Sequence, residues 1–218
     1  MKMNVITIME NEKSVQVADR LIKSGKTFGY DIKKHKAFSP TNCDVLKELE
    51  KHKLSPLGFQ EKYSRHQNCI AGFLSHHSLW LKCIKSKEPM YIFEHDAVLV
   101  GEVPTMDTFD ILSIGKPSYG NWNQPQFIGY GPLISKRYFP GAHAYRITPD
   151  GAQQLVDEAV HSAGPTDVYI HLDKFKLPKL YLPAEKSTQS FKAFIIFIFL
   201  KSKFEKSTSS ASLNEFSI

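Results

Sequence analysis

The chain has 218 residues, 42% of them hydrophobic and 23% charged, an ordinary globular balance that supplies one substantial core or one domain with a small appendage. Its 28 basic and 22 acidic residues leave a formal charge of +6 and a pI near 9.1; this suits a polyanionic partner such as nucleic acid, lipopolysaccharide or a phosphorylated ligand, and equally a lysine-rich surface. Three cysteines (Cys43, Cys69, Cys83) without a C-x-x-C pair exclude a disulfide framework, argue against zinc and fit a reducing cytosol.

The opening residues Met1–Glu10 turn polar too soon for a signal peptide, which predicts a cytoplasmic protein. Val5-Ile6-Thr7-Ile8 reads as a first strand. Residues 12–24 carry apolar positions Val15, Val17, Ala18, Leu21 and Ile22 at helical spacing, and Gly25 is expected to stop that helix. A second β-like segment follows around Tyr30–Phe38, the opening of an α/β domain. Residues 39–66 read as a helix plus a loop containing Pro56-Leu57-Gly58. The clearest helix is 68–86, where Ile70, Leu74, His77, Leu81 and Ile84 form one stripe with Ser75 and His76 in mid-helix.

Strand-like Met90-Tyr91-Ile92-Phe93 then runs straight into Glu94-His95-Asp96 before Ala97-Val98-Leu99-Val100. Three ionisable groups between apolar runs need a metal, a salt-bridge partner or exposure at a strand end. Strand alternation places Glu94 and Asp96 on one side and His95 on the other. Two carboxylates at a strand's carboxyl end suit Mg²⁺ or Mn²⁺ holding a diphosphate; a solvated strand end is the plainer alternative.

Further on, Phe109–Ile114 reads as a strand and Gly115–Pro140 as a long irregular region rich in glycine, proline and aromatics. Ala144–Ile147 is strand-like, and Thr148-Pro149-Asp150 opens a helix that ends near Gly164-Pro165. Asp167–His171 is a short segment. The apolar run Ala193–Leu200 falls far below the roughly 20 residues that cross a bilayer. It reads as a strand, a buried helix turn or a membrane-surface contact, with a Ser-rich loose tail after it. The expected division is one domain over 1–192 and an appendage over 193–218.

The block "CIAGFLSHHSLWLKCIKSKEPMYIFEHDAVL" resembles the central part of glycosyltransferase family 25, the lipooligosaccharide and collagen-galactosyl type. "PGAHAYRITPDGAQQLVDEA", "PTDVYIH" and more faintly "AEKSTQSF" resemble further blocks of that family, in its order. The family's middle aspartate is His95 here, which puts the number of metal ligands in doubt. The resemblance implies a GT-A-like, Rossmann-like single domain with a mixed central sheet flanked by helices. It also implies an inverting, metal-dependent transfer from a nucleoside-diphosphate sugar, a UDP-sugar first, with Mn²⁺ or Mg²⁺ at Glu94 and Asp96 and His171 as a further ligand. Thr7, Glu10, Arg20, Ser75, His76 and His143 are then expected at the nucleotide sugar, and Asp167 as general base.

For the acceptor, Trp122, Tyr130, Lys136 and Arg137 head a set of interleaved aromatics and cations. These suit stacking on a sugar ring or on a flipped base. Hydroxymethylcytosine-containing DNA, which would make the chain a phage or virus member, is the favoured acceptor, with a lipopolysaccharide core as the alternative. An inactive carbohydrate- or DNA-binding relative is the rival reading. A nucleotidyltransferase finds no Gly-rich phosphate loop to support it.

Overall fold

The structure is a computed structural model of the chain and describes residues 1–60, 64–105, 108–116, 129–133, 137–139, 142–181 and 196–198. Strand β1 (Lys2–Thr7) sends Met3 and Val5 to one apolar cluster and Ile6 to another, as strand alternation requires. Helix α1 (Glu12–Lys26) starts at Asn11, whose side chain accepts from the N–H groups of Lys13 and Ser14. Gly25 does not stop this helix but lies inside it. A Cβ there would come within 2.5 Å of Ile32 Cδ1, so glycine is what lets α1 press against β2 (Ile32–Lys36).

Helix α2 (Val45–Lys51) and a 3₁₀ turn at Pro56–Gly58 occupy the predicted helix-plus-loop region. Helix α3 (His66–Ser86) ends where Lys87 turns left-handed at φ 53°. Strand β3 (Met90–Glu94) follows. Met90 and Ile92 face one cluster, Tyr91 and Phe93 the other, and all four are 0–1 % exposed. Both faces of the strand are covered, which is why its apolar run is continuous.

The chain then turns and forms β4 (Ala97–Leu99) in a separate small sheet. Strand β5 (Ile111–Ser113) is shorter than the expected 109–114. The region expected to be irregular holds two strands, β6 (Gly115–Lys116) and β7 (Gly129–Pro132). Next come β8 (Ala144–Ile147) and α4 (Pro149–Ser162), which is capped by Thr148. The 167–171 segment opens as a short helix, α5 (Thr166–Tyr169), and β9 (Pro178–Tyr181) follows it. Of the three readings of the apolar run near the end, the strand is observed: β10 (Ile196–Ile198) pairs antiparallel with β4 and parallel with β6.

The main sheet is mixed, in the order β2-β1-β3-β8-β5-β9-β7, with β2, β1 and β3 parallel and β8 antiparallel to β3 and β5. Helices α3 and α4 cover the face that includes Ile92 and Tyr145; α1 and β4 cover the other. This is the expected α/β architecture. No helix among the described residues is long and apolar enough to cross a membrane.

Candidate functional site

The chain leaves β1 to build β2 on one side and returns to build β3 on the other. The crevice at the carboxyl ends of β1 and β3 is therefore a topological switch point, where open α/β sheets bind ligands. A cleft of about 350 Å³ lies there. Its walls are Ile6 and Ile8 from the end of β1, Ala37–Pro40 after β2, one face of α3, and Glu94-His95-Asp96 after β3. Known ligand pockets start near ~300 Å³, so the cleft is large enough for part of a nucleotide.

The wall that α3 supplies is Asn68, Ala71, Gly72 and Ser75, spaced i, i+3, i+4 and i+7. All four are small or short, so a ligand can lie close to the helix. Ser75 ties this wall to the end of β2: its Oγ donates to Ala71 O at 2.7 Å and accepts from Phe38 N–H at 2.9 Å.

Glu94 is the last residue of β3, and its N–H donates to the carbonyl of His143 at 2.9 Å. Its side chain, 37% exposed, accepts from His76 Nε2 at 3.3 Å. Burial pushes the Glu94 carboxyl up, but the His76 hydrogen bond and the neighbouring imidazoles outweigh it and hold the group below the ordinary carboxylate range. On the far side of the ring, His76 Nδ1 lies 2.9 Å from Tyr145 Oη, which also receives the Trp80 indole N–H at 2.8 Å.

His95 points away from Glu94, as strand alternation predicts: its ring meets Ser14 on α1, whereas Glu94 meets His76 on α3, and the two helices cover opposite faces of the sheet. The strand ends at Glu94, residues 95–96 form a turn, and all three residues border the cleft. His95 Nδ1 is 3.2 Å from Ser14 Oγ, which in turn accepts the Ile8 N–H. Asp96 Oδ1 is buried without a hydrogen-bond partner among the described residues. Burial and then the charge of Glu94 push the Asp96 carboxyl up. An orphaned carboxylate oxygen beside a second carboxylate is the charge arrangement that a divalent cation relieves. Mg²⁺ commonly takes one or two protein carboxylates and fills its shell with substrate phosphate and water. Glu94 and Asp96 fit that donor set. Among the described residues no cluster of three or more His, Cys, Asp or Glu is placed to hold a metal. His171 lies off the cleft, with its Nδ1 3.3 Å from Asp173 Oδ2.

The other predicted residues divide. Ser75 and His76 line the cleft. Thr7 is fully buried and donates to Val5 O within its own strand. Glu10 binds Lys36 Nζ at 2.6 Å and Asn42 at 3.1 Å, chiefly Lys36 holding its carboxyl below the usual range. Arg20 reaches the Asp96 carbonyl at 3.4 Å. His143 is buried against Gly115, where a Cβ would come 2.2 Å from its ring. Asp167 Oδ1 accepts the N–H of Ala142, next to His143, and does not line the cleft. Tyr130 packs on Phe109 at 5.6 Å between centroids and Arg137 is paired with Asp173, while Trp122 and Lys136 lie outside the described residues. Sequence reasoning passed over Gly72 and the link from Tyr145 to His76. The small-residue stripe at helical spacing was a readable signal for the first.

Residues 34–119 match the family model of glycosyltransferase family 25, described as an LPS biosynthesis protein. No curated protein matches the chain.

Proposed function

We propose that the chain, whose residues 34–119 match glycosyltransferase family 25 and build most of the cleft, is a glycosyltransferase that takes its sugar from a nucleoside diphosphate bound between β1 and β3. The observation that carries this reading is the cleft at the switch point with Glu94 and Asp96 on one wall. The base and ribose would lie along Ala37–Pro40 and the small-residue face of α3, with the diphosphate toward the two carboxylates. Mn²⁺ or Mg²⁺, held by Glu94 and Asp96, would neutralise charge on the leaving diphosphate. His76 keeps Glu94 ionised and oriented. The acceptor hydroxyl attacks the anomeric carbon in line and loses its proton to a carboxylate.

The acceptor in this reading is a saccharide, in keeping with the family's description. Of the residues that suggested DNA, Arg137 is neutralised by Asp173 and Tyr130 packs on Phe109. The test is transfer of labelled sugar from a panel of nucleotide sugars, UDP-sugars first, with Mn²⁺ and with EDTA. Lipopolysaccharide core and hydroxymethylcytosine DNA are offered side by side. A donor at 100 times its dissociation constant also adds about 2.7 kcal/mol of stability, which a thermal shift detects. Stabilisation without turnover on any acceptor would make the chain a binding relative.

Gly72→Leu tests the cleft itself. No neighbouring atom lies within 4 Å of a Cβ at Gly72, and the residue is exposed on the wall of the cleft. Glycine in a helix interior costs about 0.5–1 kcal/mol relative to alanine, so the variant should melt no lower than the parent. Its side chain fills the space assigned to the donor, so donor-induced stabilisation should disappear. An unchanged donor shift in Gly72→Leu would place the donor elsewhere.

Asp167→Asn decides between two roles. Asparagine keeps the oxygen that accepts the Ala142 N–H, so a residue that only braces the β8 entrance should leave turnover within a few-fold of the parent. That is the expected result, because Asp167 lies off the cleft. A fall of roughly 10²–10⁴ with donor affinity intact would instead restore Asp167 as the base.

A further inference from the structure

We propose that Tyr145 is a positioning residue: anchored by Trp80, its hydroxyl fixes His76 as the Nε2–H tautomer and so aims Glu94 into the cleft. The kinetic part of this proposal rests on the transferase reading above; the tautomer does not.

The argument is a count of donors and acceptors. An indole N–H can only donate, so Tyr145 Oη, 2.8 Å from Trp80 Nε1, accepts. The same oxygen is 2.9 Å from His76 Nδ1. Were Nδ1 protonated, the tyrosine hydroxyl would take two donors, and its own hydrogen would be left without an acceptor at a fully buried position. Buried polar hydrogens are almost always paired. The hydroxyl therefore donates to Nδ1, the ring carries its proton on Nε2, and Nε2 donates to Glu94 Oε1 at 3.3 Å. Every hydrogen along Trp80, Tyr145, His76 and Glu94 then has one acceptor. Glu94 Oε2, without a hydrogen-bond partner among the described residues, is left for a ligand.

The line is rigid because the core holds its far end. Trp80 is fully buried, edge-on to Phe73 at 5.5 Å and stacked on Tyr169 at 5.8 Å. Trp80 and His76 are one helical turn apart on α3, and Tyr145 sits opposite Ile92, two residues before Glu94 on the same face of β3. The hydrogen bonds thus run from the centre of the core to the lip of the cleft.

The test begins with the intact chain. Nitrogen-15 spectra of the histidine rings near neutral pH, with the His76 signals assigned by their loss in His76→Gln, should show a protonated Nε2 and an unprotonated Nδ1. A protonated Nδ1 overturns the proposal without any variant. Tyr145→Phe should give a mixture of tautomers, whereas Trp80→Phe, which keeps the hydroxyl, should keep the Nε2–H form. In transfer assays Tyr145→Phe is expected to lower kcat about 10- to 100-fold, the scale of a small misplacement at a reacting group, with the donor KM within a few-fold.

Should Tyr145→Phe fold poorly because the indole N–H loses its acceptor, the double variant Trp80→Phe/Tyr145→Phe removes that donor and must show the same mixed tautomers. A parental tautomer or parental kcat in both Tyr145 variants overturns the proposal. A parent chain inactive on every donor would count against the transferase reading, while the spectra still decide the tautomer.

Discussion

Glu94→Gln should lower sugar transfer by roughly 10²–10⁴ while leaving the chain folded. The fold tolerates the change because Gln keeps a carbonyl oxygen to accept the His76 N–H and the side chain is already 37% exposed. Only the charge is lost. That charge is what the site maintains, since the His76 bond offsets the upward push of burial on the carboxyl. Beside it, burial and then Glu94 itself push the Asp96 carboxyl up. The measurement is transfer rate at saturating donor, paired with a thermal melt and with a Mn²⁺ titration. Normal turnover in a folded Glu94→Gln would remove Glu94 from the chemistry, and with it the assignment of the cleft as the active site.

A second large effect is expected on stability, in acid. His77 is 3 % exposed between α2 and the core, stacked on Phe73 at 6.0 Å and edge-on to His52 at 4.9 Å, with Nδ1 buried and unpartnered among the described residues. Burial above all, then His52, holds the ring down to about 4 from an ordinary 6.5. The folded chain therefore keeps His77 neutral in a range where the unfolded chain binds a proton. Stability is fully present above about pH 6.5 and is lost as pH falls toward about 4. Each tenfold difference in proton affinity between the folded and unfolded chain is worth about 1.4 kcal/mol, so this single ring accounts for up to about 3 kcal/mol. His35, also held down to about 4 by burial, acts in the same direction. His77→Phe preserves the stacking and has nothing to protonate, so its urea stability should depend less on pH between 7 and 4. Parallel pH curves for parent and variant would show that the acid sensitivity arises elsewhere.

Much of this molecule was readable before its fold. The elements appear close to where periodicity and capping place them, because those signals are local: Asn11 and Thr148 cap helices where they stand, and α3 is marked by its own apolar stripe. The Glu94-His95-Asp96 step between apolar runs correctly marked a strand end. Local rules misled where a neighbour overrode them. Gly25 reads as a helix stop but serves close packing on Ile32. The weak strands β6 and β7 carry too little apolar alternation to announce themselves and exist through pairing with β10 and β9.

The sequence by itself therefore determined the α/β class and the strand end that carries the carboxylates. It had no means of placing β8 antiparallel between β3 and β5, because strand order depends on distant pairings that leave no local period. That placement carries Tyr145 across 69 residues of chain to His76. It also sets Asp167 to bracing Ala142, and it gives Glu94 its neighbours. Residue types fixed what each side chain is able to donate or accept; only the packed sheet decided which of them meet.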